Sequence, residues 1–272
     1  MLNKPILAED LENKIHTKLI AKKIFAFETL SSTNDFAKRL AQNGERGGTL
    51  ILTNEQTKGR GRRGRSWYAP ANSGLWFSII LEPTQSADKF GVVSLLAAVA
   101  LAKTIEQKTS LKPALKWPND VLIDSKKVSG ILLESQSSNN RNASLILGIG
   151  VNVNQKEIDF PEPIRQTATS LREQVKHEID RVGLLIELLH YLEHFYFEFN
   201  NGNSNLIINT WKERCPFLDK YISVKQNGDE IGGRFENLDE YGRMGLRLAS
   251  GEIKHLSAGE PNLIQGEESC YS

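Results

Sequence analysis

The sequence predicts an α+β fold in which a mixed, largely antiparallel sheet is flanked by helices and followed by a small β-barrel. Short apolar and β-branched runs bounded by turn residues recur through the first half of the chain, as expected for strands. Longer apolar segments with helical character lie between and after them. From Tyr221 onward, short strand-like runs alternate with turns such as Gly232-Gly233 and Tyr241-Gly242, a texture typical of a small all-β domain.

The first elements are two strands with a helix between them. Ile24–Glu28 is predicted as a strand, and the apolar run Thr49–Thr53 as the next one. Ser31–Asp35 is predicted to begin a helix, because serine, threonine and asparagine are good N-caps. This helix is expected to end near Gly44.

The middle of the chain predicts further strands and three helices. Leu75–Leu81 reads as a strand and Phe90–Ile105, rich in alanine and other apolar residues, as a buried helix. Four more predicted strands are Ala114–Trp117, Val121–Ile123, Val128–Glu134 and Ala143–Ile149. Two helices are predicted to follow, at about Arg181–Phe199 and Asn205–Glu213.

Near Pro216–Lys220 the predicted elements change from helices to short strands separated by turns, which predicts a domain boundary. We therefore divide the chain into an N-terminal segment (1–23), a main domain (24–218) and a small β domain (219–272). A chain of 272 residues is long enough for one large domain with a small satellite.

Composition excludes several classes of protein. Lysines and arginines nearly balance the acidic residues, giving a net charge of +1, so no overall basic field favours nucleic acid as a partner. Two cysteines, Cys215 and Cys270, are too few for a disulfide framework. The first stretch is interrupted by charges, and we see neither an apolar leader nor a membrane-length apolar run. We expect a cytoplasmic protein that binds no membrane.

The stretch Gly59–Trp67 alternates four arginines with three glycines and ends in tryptophan. Guanidinium groups bind carboxylates and phosphates in pairs of hydrogen bonds. Glycines let backbone N–H groups approach an anion closely, and Trp67 offers a face on which a flat base can stack. The stretch is therefore typical of a loop that encloses an anion carried on an aromatic ring system. An arginine-glycine tract that binds nucleic acid is the alternative.

A second stretch is Lys116–Asp120, with the sequence Lys-Trp-Pro-Asn-Asp. Its tight turn places the Asn119 amide and the Asp120 carboxylate at a strand end, and a carboxylate there could hold Mg²⁺ directly or through water. Ordinary turn chemistry explains the same residues, and Lys116 alone is typical of a solvated surface lysine.

Two further stretches place glycines inside predicted strands. Lys127 enters an apolar strand and Gly130 follows three residues later, which favours close approach of a ligand or another backbone. Gly148 and Gly150 alternate in the next strand, so they share one face and leave space for a narrow ligand. A hairpin with a solvated lysine, or simple packing, would explain either stretch alone.

In combination and in this order, these stretches resemble the biotin–protein ligases, which join biotin to a lysine of a carboxylase. The resemblance rests on GRGRRGRSW (59–67), KWPND (116–120), KVSGILLE (127–134) and GIGVN (148–152), together with Ser32-Thr33-Asn34 and Gln56. It extends from about Phe25 to the end of the chain. It implies a class II synthetase-like catalytic domain at 24–218, followed by a small SH3-like β-barrel.

The resemblance also implies an activity and a partner. Members of the family use ATP to convert biotin into biotinyl-5′-AMP with release of pyrophosphate. They then transfer biotin to a lysine of a biotin carboxyl carrier protein or domain. The substrates are thus biotin and ATP, with Mg²⁺ as the expected metal. About two dozen residues precede the first strand, too few for the DNA-binding winged helix of some members, so we expect a ligase without a repressor role.

The family match implies residue roles. Lys127, Arg62 and Arg65 are expected to be catalytic, because positive groups offset the repulsion between two reacting anions. The residues expected to bind biotin are Ser32, Thr33, Asn34, Gln56, Gly59, Arg60, Gly61, Arg62, Lys127, Gly130, Gly148 and Gly150. Those expected to contact ATP or the adenylate are Arg62, Arg65, Trp67, Lys116, Asn119 and Asn152. Asp120 is expected to assist Mg²⁺ or the acceptor lysine.

Other readings remain at this stage. A lipoate or octanoate ligase or transferase shares the implied fold and a lysine resembling Lys127. A nucleic-acid-binding protein would use the arginine loop. A regulatory biotin sensor would have only weak catalytic activity. A sheet-edge homodimer is compatible with the fold. Since ordering about nine loop residues costs on the order of 10 kcal/mol, the loop is expected to close fully only with ligand.

Overall fold

A computed structural model describes residues 4–138, 141–226 and 228–264 of the chain. Cys270, the ends of the first and last predicted segments (1–3 and 265–272), residues 139–140 and Asn227 lie outside the described residues.

The main domain is built on a seven-stranded sheet. Its strands are β1 (Lys23–Leu30), β2 (Thr49–Gln56), β3 (Gly74–Leu81), β4 (Ala114–Lys116), β5 (Asp120–Ile123), β6 (Lys126–Ser138) and β7 (Arg141–Asn152). Their order across the sheet is β1-β2-β3-β7-β6-β5-β4. Only the β1–β2 pair of this described sheet is parallel, which confirms the predicted mixed, largely antiparallel arrangement.

The helices are α1 (Glu9–Glu12), α2 (Thr33–Gln42), α3 (Gly91–Thr109), α4 (Glu162–Arg165), α5 (Leu171–Val175), α6 (Arg181–Asn200) and α7 (Ser204–Lys212). The four longer helices are those that the sequence predicts. Helices α1, α4 and α5 have four or five residues each, so they are too short to show an apolar period. Short 3₁₀ turns lie at 62–64, 87–90 and 157–159.

Helices cover both faces of the sheet. On one face, α3 lies against α6 and α7 and shares their apolar core. On the other face α2 contributes Ala37 and Ala41, which pack on Ile51, Ile80 and Ile146. All eight residues of β3 are buried, because this central strand is covered on both sides.

The segment Ala87–Thr109, which contains α3, is long and apolar enough by composition to cross a membrane, contrary to the expectation that no such run exists. The apolar stretch within this segment has a mean hydropathy of 1.4, and 67% of that stretch is buried within the fold. This is the pattern of a helix at the centre of a core, which α3 is.

The segment before β1 packs onto the main domain. Ile6, Leu11 and Ile20 are buried in the same core as α3. The Asn54 side chain accepts a hydrogen bond from the Ile6 N–H (2.8 Å) and donates one to the Ile6 carbonyl (3.1 Å). The Asn54 side-chain amide thus satisfies the backbone N–H and carbonyl of Ile6, as a neighbouring strand would.

The C-terminal part is a five-stranded antiparallel sheet, which confirms the short strands predicted from Tyr221 onward. Its strands are β8 (Tyr221–Gln226), β9 (Asp229–Leu238), β10 (Met244–Arg247), β11 (Ile253–Leu256) and β12 (Glu260–Leu263), in the order β11-β10-β9-β8-β12. None of the strand pairs described between residues 221 and 263 joins β11 to β12, so closure into a barrel stays a prediction. The Trp117 indole donates to the Gly242 carbonyl (3.1 Å) and ties this sheet to the main domain.

Candidate active site

A cavity of about 260 Å³ lies over one end of β6 and β7. Its walls come from the start of α2, the arginine loop, the turn between β4 and β5, residues 160–168 and the start of β12. With the exception of Gly59, every predicted site residue lines this cavity. Residues that are far apart in the sequence therefore converge on one pocket.

The N-terminus of α2 brings three polar groups to the cavity. Ser32 is the N-cap and accepts from the Asp35 N–H (3.4 Å). The Thr33 N–H and hydroxyl both donate to Gln56 Oε1, over 2.9 and 3.2 Å. Since this oxygen is occupied, the amide nitrogen is the end of Gln56 that can serve a ligand.

Ser78 on β3 supports this group, and the sequence analysis did not identify it. Its hydroxyl lies 2.7 Å from Thr33 Oγ1 and 2.6 Å from Asn34 Oδ1 and is fully buried. A single serine within an apolar strand carries no motif, so only the fold reveals its partners.

Asn34 is committed to protein contacts. Its Nδ2 donates to Glu134 Oε2 (2.9 Å) and to the Leu132 carbonyl (3.3 Å). A Cβ added at Gly148 would lie 2.0 Å from Asn34 Oδ1. Gly148 is therefore required so that α2 can lie close against β7.

Every arginine of the loop has a partner in the structure. Arg60 forms ion pairs with Asp35 and Glu134. The other contacts are Arg62 Nη1 to Asn119 Oδ1 (3.0 Å), Arg63 Nη1 to the Lys225 carbonyl (3.3 Å) and Arg65 to both oxygens of Glu260 (3.0 and 3.2 Å). The loop is thus held from α2 and β6, from the β4–β5 turn and from the C-terminal sheet.

Backbone hydrogen bonds shape the same loop. The Gly61 N–H donates to the Arg65 carbonyl (2.7 Å) and the Trp67 N–H to the Gly59 carbonyl (2.9 Å). A Cβ at Gly59 would lie 2.5 Å from the Trp67 carbonyl oxygen. Gly59, expected to bind biotin, instead lies outside the cavity lining, where it allows the two arms of the loop to meet.

The glycines of β6 and β7 form a floor, and the Trp67 indole lies on it. Gly130 and Gly150 are paired across the two strands. A Cβ at Gly150 would lie 2.5 Å from Trp67 Nε1, and one at Gly130 would lie 3.0 Å from Trp67 Cζ3. The indole meets the Trp76 ring edge-on, at 6.3 Å between centroids and 70°. Its buried N–H has no hydrogen-bond partner within the described part of the chain.

Lys127 lines the cavity beside Asp120 and Trp67. Its Nζ is 2.7 Å from Asp120 Oδ1 and 5.5 Å from the centre of the Trp67 ring. The Lys127 N–H donates to the Thr167 carbonyl (2.7 Å). Thr167 belongs to the segment 160–168, for which the sequence predicts no role. This segment adds the side chains of Phe160 and Ile164 to the cavity wall.

Three other cations line the cavity without an ion pair to any described carboxylate: Arg62, Arg63 and Lys116. Burial lowers the pKa of Arg62 and of Lys116 from its ordinary value, most strongly through loss of solvation. Lys116 Nζ lies 5.6 Å from the Phe217 ring and 3.4 Å from Asn262 Oδ1. An anion bound between these groups would offset the cost of burying their charges.

The two asparagines assigned to ATP have protein partners. Asn119 receives the Arg62 hydrogen bond and donates through Nδ2 to the Ile131 carbonyl (2.9 Å). Asn152 is buried; its Nδ2 donates to the Thr169 carbonyl (3.0 Å) and its Oδ1 accepts from Gln155 (3.4 Å).

The residues form no protein cage for a metal. Within the described ranges, no three His, Cys, Asp or Glu side chains are grouped to hold an ion. The cavity is lined by two carboxylates, Asp120, which pairs with Lys127, and Glu260, which pairs with Arg65. This set fits only a Mg²⁺ ion that is held chiefly by phosphate oxygens and water, with one carboxylate at most.

Comparison with known proteins agrees with this site. Residues 26–152, which include most of the cavity lining, match the Biotin/lipoate A/B protein ligase family. The chain is 34% identical to the bifunctional ligase/repressor BirA of Bacillus subtilis, over 90% of this chain and 75% of that protein. It is 33% identical to the biotin–[acetyl-CoA-carboxylase] ligase of Paracoccus denitrificans, over 81% of this chain and 92% of that protein.

A solved structure is similar over nearly the same length. The biotin protein ligase of Aquifex aeolicus, in complex with biotin and ATP, superposes with a TM-score of 0.77 at 31% identity, covering 90% of this chain and 100% of that one. Identity above 30% over most of both chains, together with the shared fold, shows common ancestry rather than a shared architecture alone. The chain belongs to the Biotin/lipoate A/B protein ligase family, among its biotin protein ligases.

Proposed function

We propose that this protein is an ATP-dependent biotin–protein ligase. In the first step biotin and ATP form biotinyl-5′-AMP and pyrophosphate, and in the second biotin passes to a lysine of a carrier domain. Relatives at 33–34% identity include a named biotin ligase, and the Aquifex aeolicus enzyme is described with biotin and ATP bound. These relatives favour biotin over lipoate as the substrate.

One observation of the pocket carries the proposal. Six of its lining residues are cationic and two are anionic: Arg60, Arg62, Arg63, Arg65, Lys116 and Lys127 against Asp120 and Glu260. Adenylation brings together a carboxylate and a polyphosphate, which repel each other. The preorganised positive charges would lower this repulsion and stabilise the charge that develops at phosphorus.

The covalent steps distribute among these groups. A biotin carboxylate oxygen attacks the α-phosphorus of ATP, the bond to the bridging oxygen breaks, and pyrophosphate leaves with its electron pair. Lys127, released from Asp120, would stabilise the reacting carboxylate and phosphate together with Arg62 and Arg65, which line the same cavity. Loss of one preorganised charge of this kind typically costs about 3–4 kcal/mol of barrier.

In the second step the acceptor amine attacks the carbonyl carbon of the mixed anhydride, and AMP leaves. The amine must lose a proton, and Asp120 is the carboxylate beside Lys127. We propose that Asp120 takes this proton. A Mg²⁺ ion carried by the ATP phosphates would supply further charge neutralisation when bound, and Asp120 is the carboxylate that we propose would contact it.

The uncharged part of biotin would lie against α2 and the glycine floor. The Ser32 hydroxyl, the Thr33 hydroxyl oxygen and the Gln56 amide nitrogen would supply donors and acceptors for the ureido group. The apolar tail would lie against the Trp67 indole, which covers the floor at Gly130 and Gly150. Buried polar groups of this kind cost about 1–3 kcal/mol when left unpaired, so a ligand with the matching pattern is selected.

The adenine would be enclosed from the other side. Trp67 offers a ring face, and Lys116, Asn119 and Asn152 lie around the cavity. The closed loop would also keep water from the anhydride, which hydrolyses readily in solution.

The acceptor in this proposal is a biotin carboxyl carrier protein or the equivalent domain of a carboxylase. A cytoplasmic location and a sheet-edge homodimer stay predictions.

The proposal is tested by transfer to an isolated carrier domain supplied with biotin and ATP. Streptavidin blotting should detect one biotin per domain, and none on a matched carrier whose acceptor lysine is replaced by arginine. Labelling of the arginine carrier would indicate unspecific release of adenylate, and absence of labelling on both carriers would contradict the proposal.

A further inference from the structure

We propose that Glu134 is a positioning residue that sets the closed arrangement of the arginine loop over the pocket. The proposal rests on the function above, for which the loop must cover the adenylate. Glu134 lies on β6 and does not line the cavity itself.

Glu134 joins two separate elements through one carboxylate. Its Oε2 is 2.8 Å from Arg60 Nη2 in the loop and 2.9 Å from Asn34 Nδ2 at the start of α2. Its Oε1 is 2.5 Å from Lys38 Nζ, one helical turn further along α2. The Glu134 side chain is only 19% exposed, so these contacts are sheltered from solvent.

The anchored positions are the ones that define the pocket. Asn34 follows Ser32 and Thr33 directly, and these two residues line the cavity. Arg60 is the first arginine of the loop, whose arms are joined by a bridge between Arg60 and Ser66. One carboxylate therefore couples the biotin wall to the arm that carries the cationic groups.

Asp35 completes the anchor on the exposed side. Its Oδ1 lies 2.7 Å from the same Arg60 nitrogen, and its side chain is 41% exposed. Arg60, expected from the sequence to close over biotin, thus has its guanidinium occupied by two carboxylates. We infer that Arg60 serves the reaction through the placement of Arg62 and Arg65 rather than through its own side chain.

The electrostatics of Glu134 agree with this role. Burial raises the pKa of its carboxyl, but hydrogen bonds from Lys38 and Asn34 and the nearby charge of Arg60 outweigh burial and hold the pKa below its usual value. The carboxylate therefore stays ionised, and available to Arg60, at neutral pH.

Trypsin tests the anchor directly because it cleaves after arginine, and the loop contains four. In Glu134→Gln, nicking at Arg60–Arg65 without ligands should be about five- to tenfold faster than in the wild type, since loss of the charge raises the population with an open loop. Asp35→Asn should show a smaller increase. Lys38→Met is the matched control, because Lys38 binds the same carboxylate but does not touch the loop; its nicking should equal that of the wild type.

A second readout follows the adenylate. With biotin and ATP but no acceptor, Glu134→Gln should continue to release pyrophosphate about five- to tenfold faster than the wild type, because an open loop lets the adenylate escape. The first turnover should change less. Unchanged nicking in Glu134→Gln, or equal increases in Lys38→Met, would overturn the proposal.

The two readouts separate this inference from the function on which it rests. Wild-type protein without biotin-dependent pyrophosphate release would contradict the function, while the nicking experiment would still decide whether Glu134 holds the loop. If Glu134→Gln does not fold, Asp35→Asn provides the same comparison against Lys38→Met.

Discussion

Lys127 Nζ lies 2.7 Å from Asp120 Oδ1, so the expected catalytic lysine is paired with the expected metal ligand. Asp120 also pairs across strands with Gly130, which forms part of the pocket floor. Lysine and carboxylate therefore cannot be assigned independent roles. A change at one alters the charge and position of the other.

Asp120→Asn should impair the second half-reaction more than the first. The amide cannot accept a proton from the acceptor lysine, and general-base catalysis contributes about 10²- to 10⁴-fold. Transfer from supplied biotinyl-5′-AMP to the carrier domain should fall by about a hundredfold or more, while pyrophosphate formation falls less. If Asp120 acts mainly through Mg²⁺, the rate of the ATP-dependent half-reaction will fall instead, and the rate of transfer from supplied adenylate will be unaffected.

Gly150→Ala should disrupt the pocket floor. The new methyl group would lie 2.5 Å from Trp67 Nε1 and 2.6 Å from Trp67 Cε2, so the indole must move. Overpacking of this kind costs about 1–3 kcal/mol. Isothermal titration should show biotin and ATP binding weakened by about tenfold or more, with a change in tryptophan fluorescence.

Gly232→Ala on β9 is the matched control, since nothing lies within 4 Å of its Cβ position. Binding equal to the wild type in both variants would mean that the Trp67 contact is not part of the ligand site.

Lys116→Met should weaken ATP binding without weakening the fold. Burial lowers the pKa of Lys116, so the protonated side chain opposes folding at neutral pH. This destabilisation is present below the pKa that Lys116 has in the folded protein. It disappears as the pH rises through the pKa that Lys116 has in the unfolded chain. Methionine keeps an apolar side chain of similar length and removes the charge that lies near the Phe217 ring. Urea unfolding should show no loss of stability, while KM for ATP rises by about tenfold, corresponding to about 1.4 kcal/mol.

A loss of stability in Lys116→Met together with an unchanged KM would reverse this assignment. Lys116 would then be a structural cation rather than one that awaits a phosphate.

The Arg65–Glu260 pair should couple the loop weakly to the C-terminal sheet. Both side chains are partly exposed, at 60% and 41%, so a double-mutant cycle with Arg65→Met and Glu260→Gln should give about 1 kcal/mol or less. Burial raises the pKa of the Glu260 carboxyl, but the hydrogen bond and charge of Arg65, together with the charges of Lys116 and Lys127, hold this pKa below its ordinary value. The contribution is therefore present above the ordinary carboxyl pKa and is lost as the pH falls through the lowered value.

Urea unfolding at about pH 7 and about pH 4 would measure this coupling. A coupling that grows on acidification would show that the ion pair is not its source.

The long elements could be predicted because their signals are local. Helices α3 and α6, with 19 and 20 residues, contain enough apolar positions to show their type in the sequence alone. Helix α2 was predicted from its N-cap, and Ser32 is the N-cap in the structure. Helices α4 and α5 were not predicted because their four or five residues form only about one helical turn, which is too short to show an apolar period.

The motif residues of the site could be predicted for a similar reason: each stretch is contiguous in the sequence. Their partners could not. Glu134 lies 74 residues from Arg60, and Glu260 lies 195 residues from Arg65. No local pattern marks these contacts, which depend on the strand order that brings β6 and β12 to the loop. These partners are the basis of our proposal that Arg60 acts by placing the loop, and they show that the Asn34 amide nitrogen is bound to Glu134 and Leu132.

The most direct test of the proposed function is pyrophosphate release from ATP, with biotin or lipoate supplied singly, by the wild type and by Lys127→Ala. We expect release that depends on biotin and falls by about a hundredfold or more in Lys127→Ala, since one preorganised charge is removed. Release that depends on lipoate would place the protein among the lipoate ligases. Release that is absent with both substrates, or that is equal in Lys127→Ala, would contradict the assignment of this pocket.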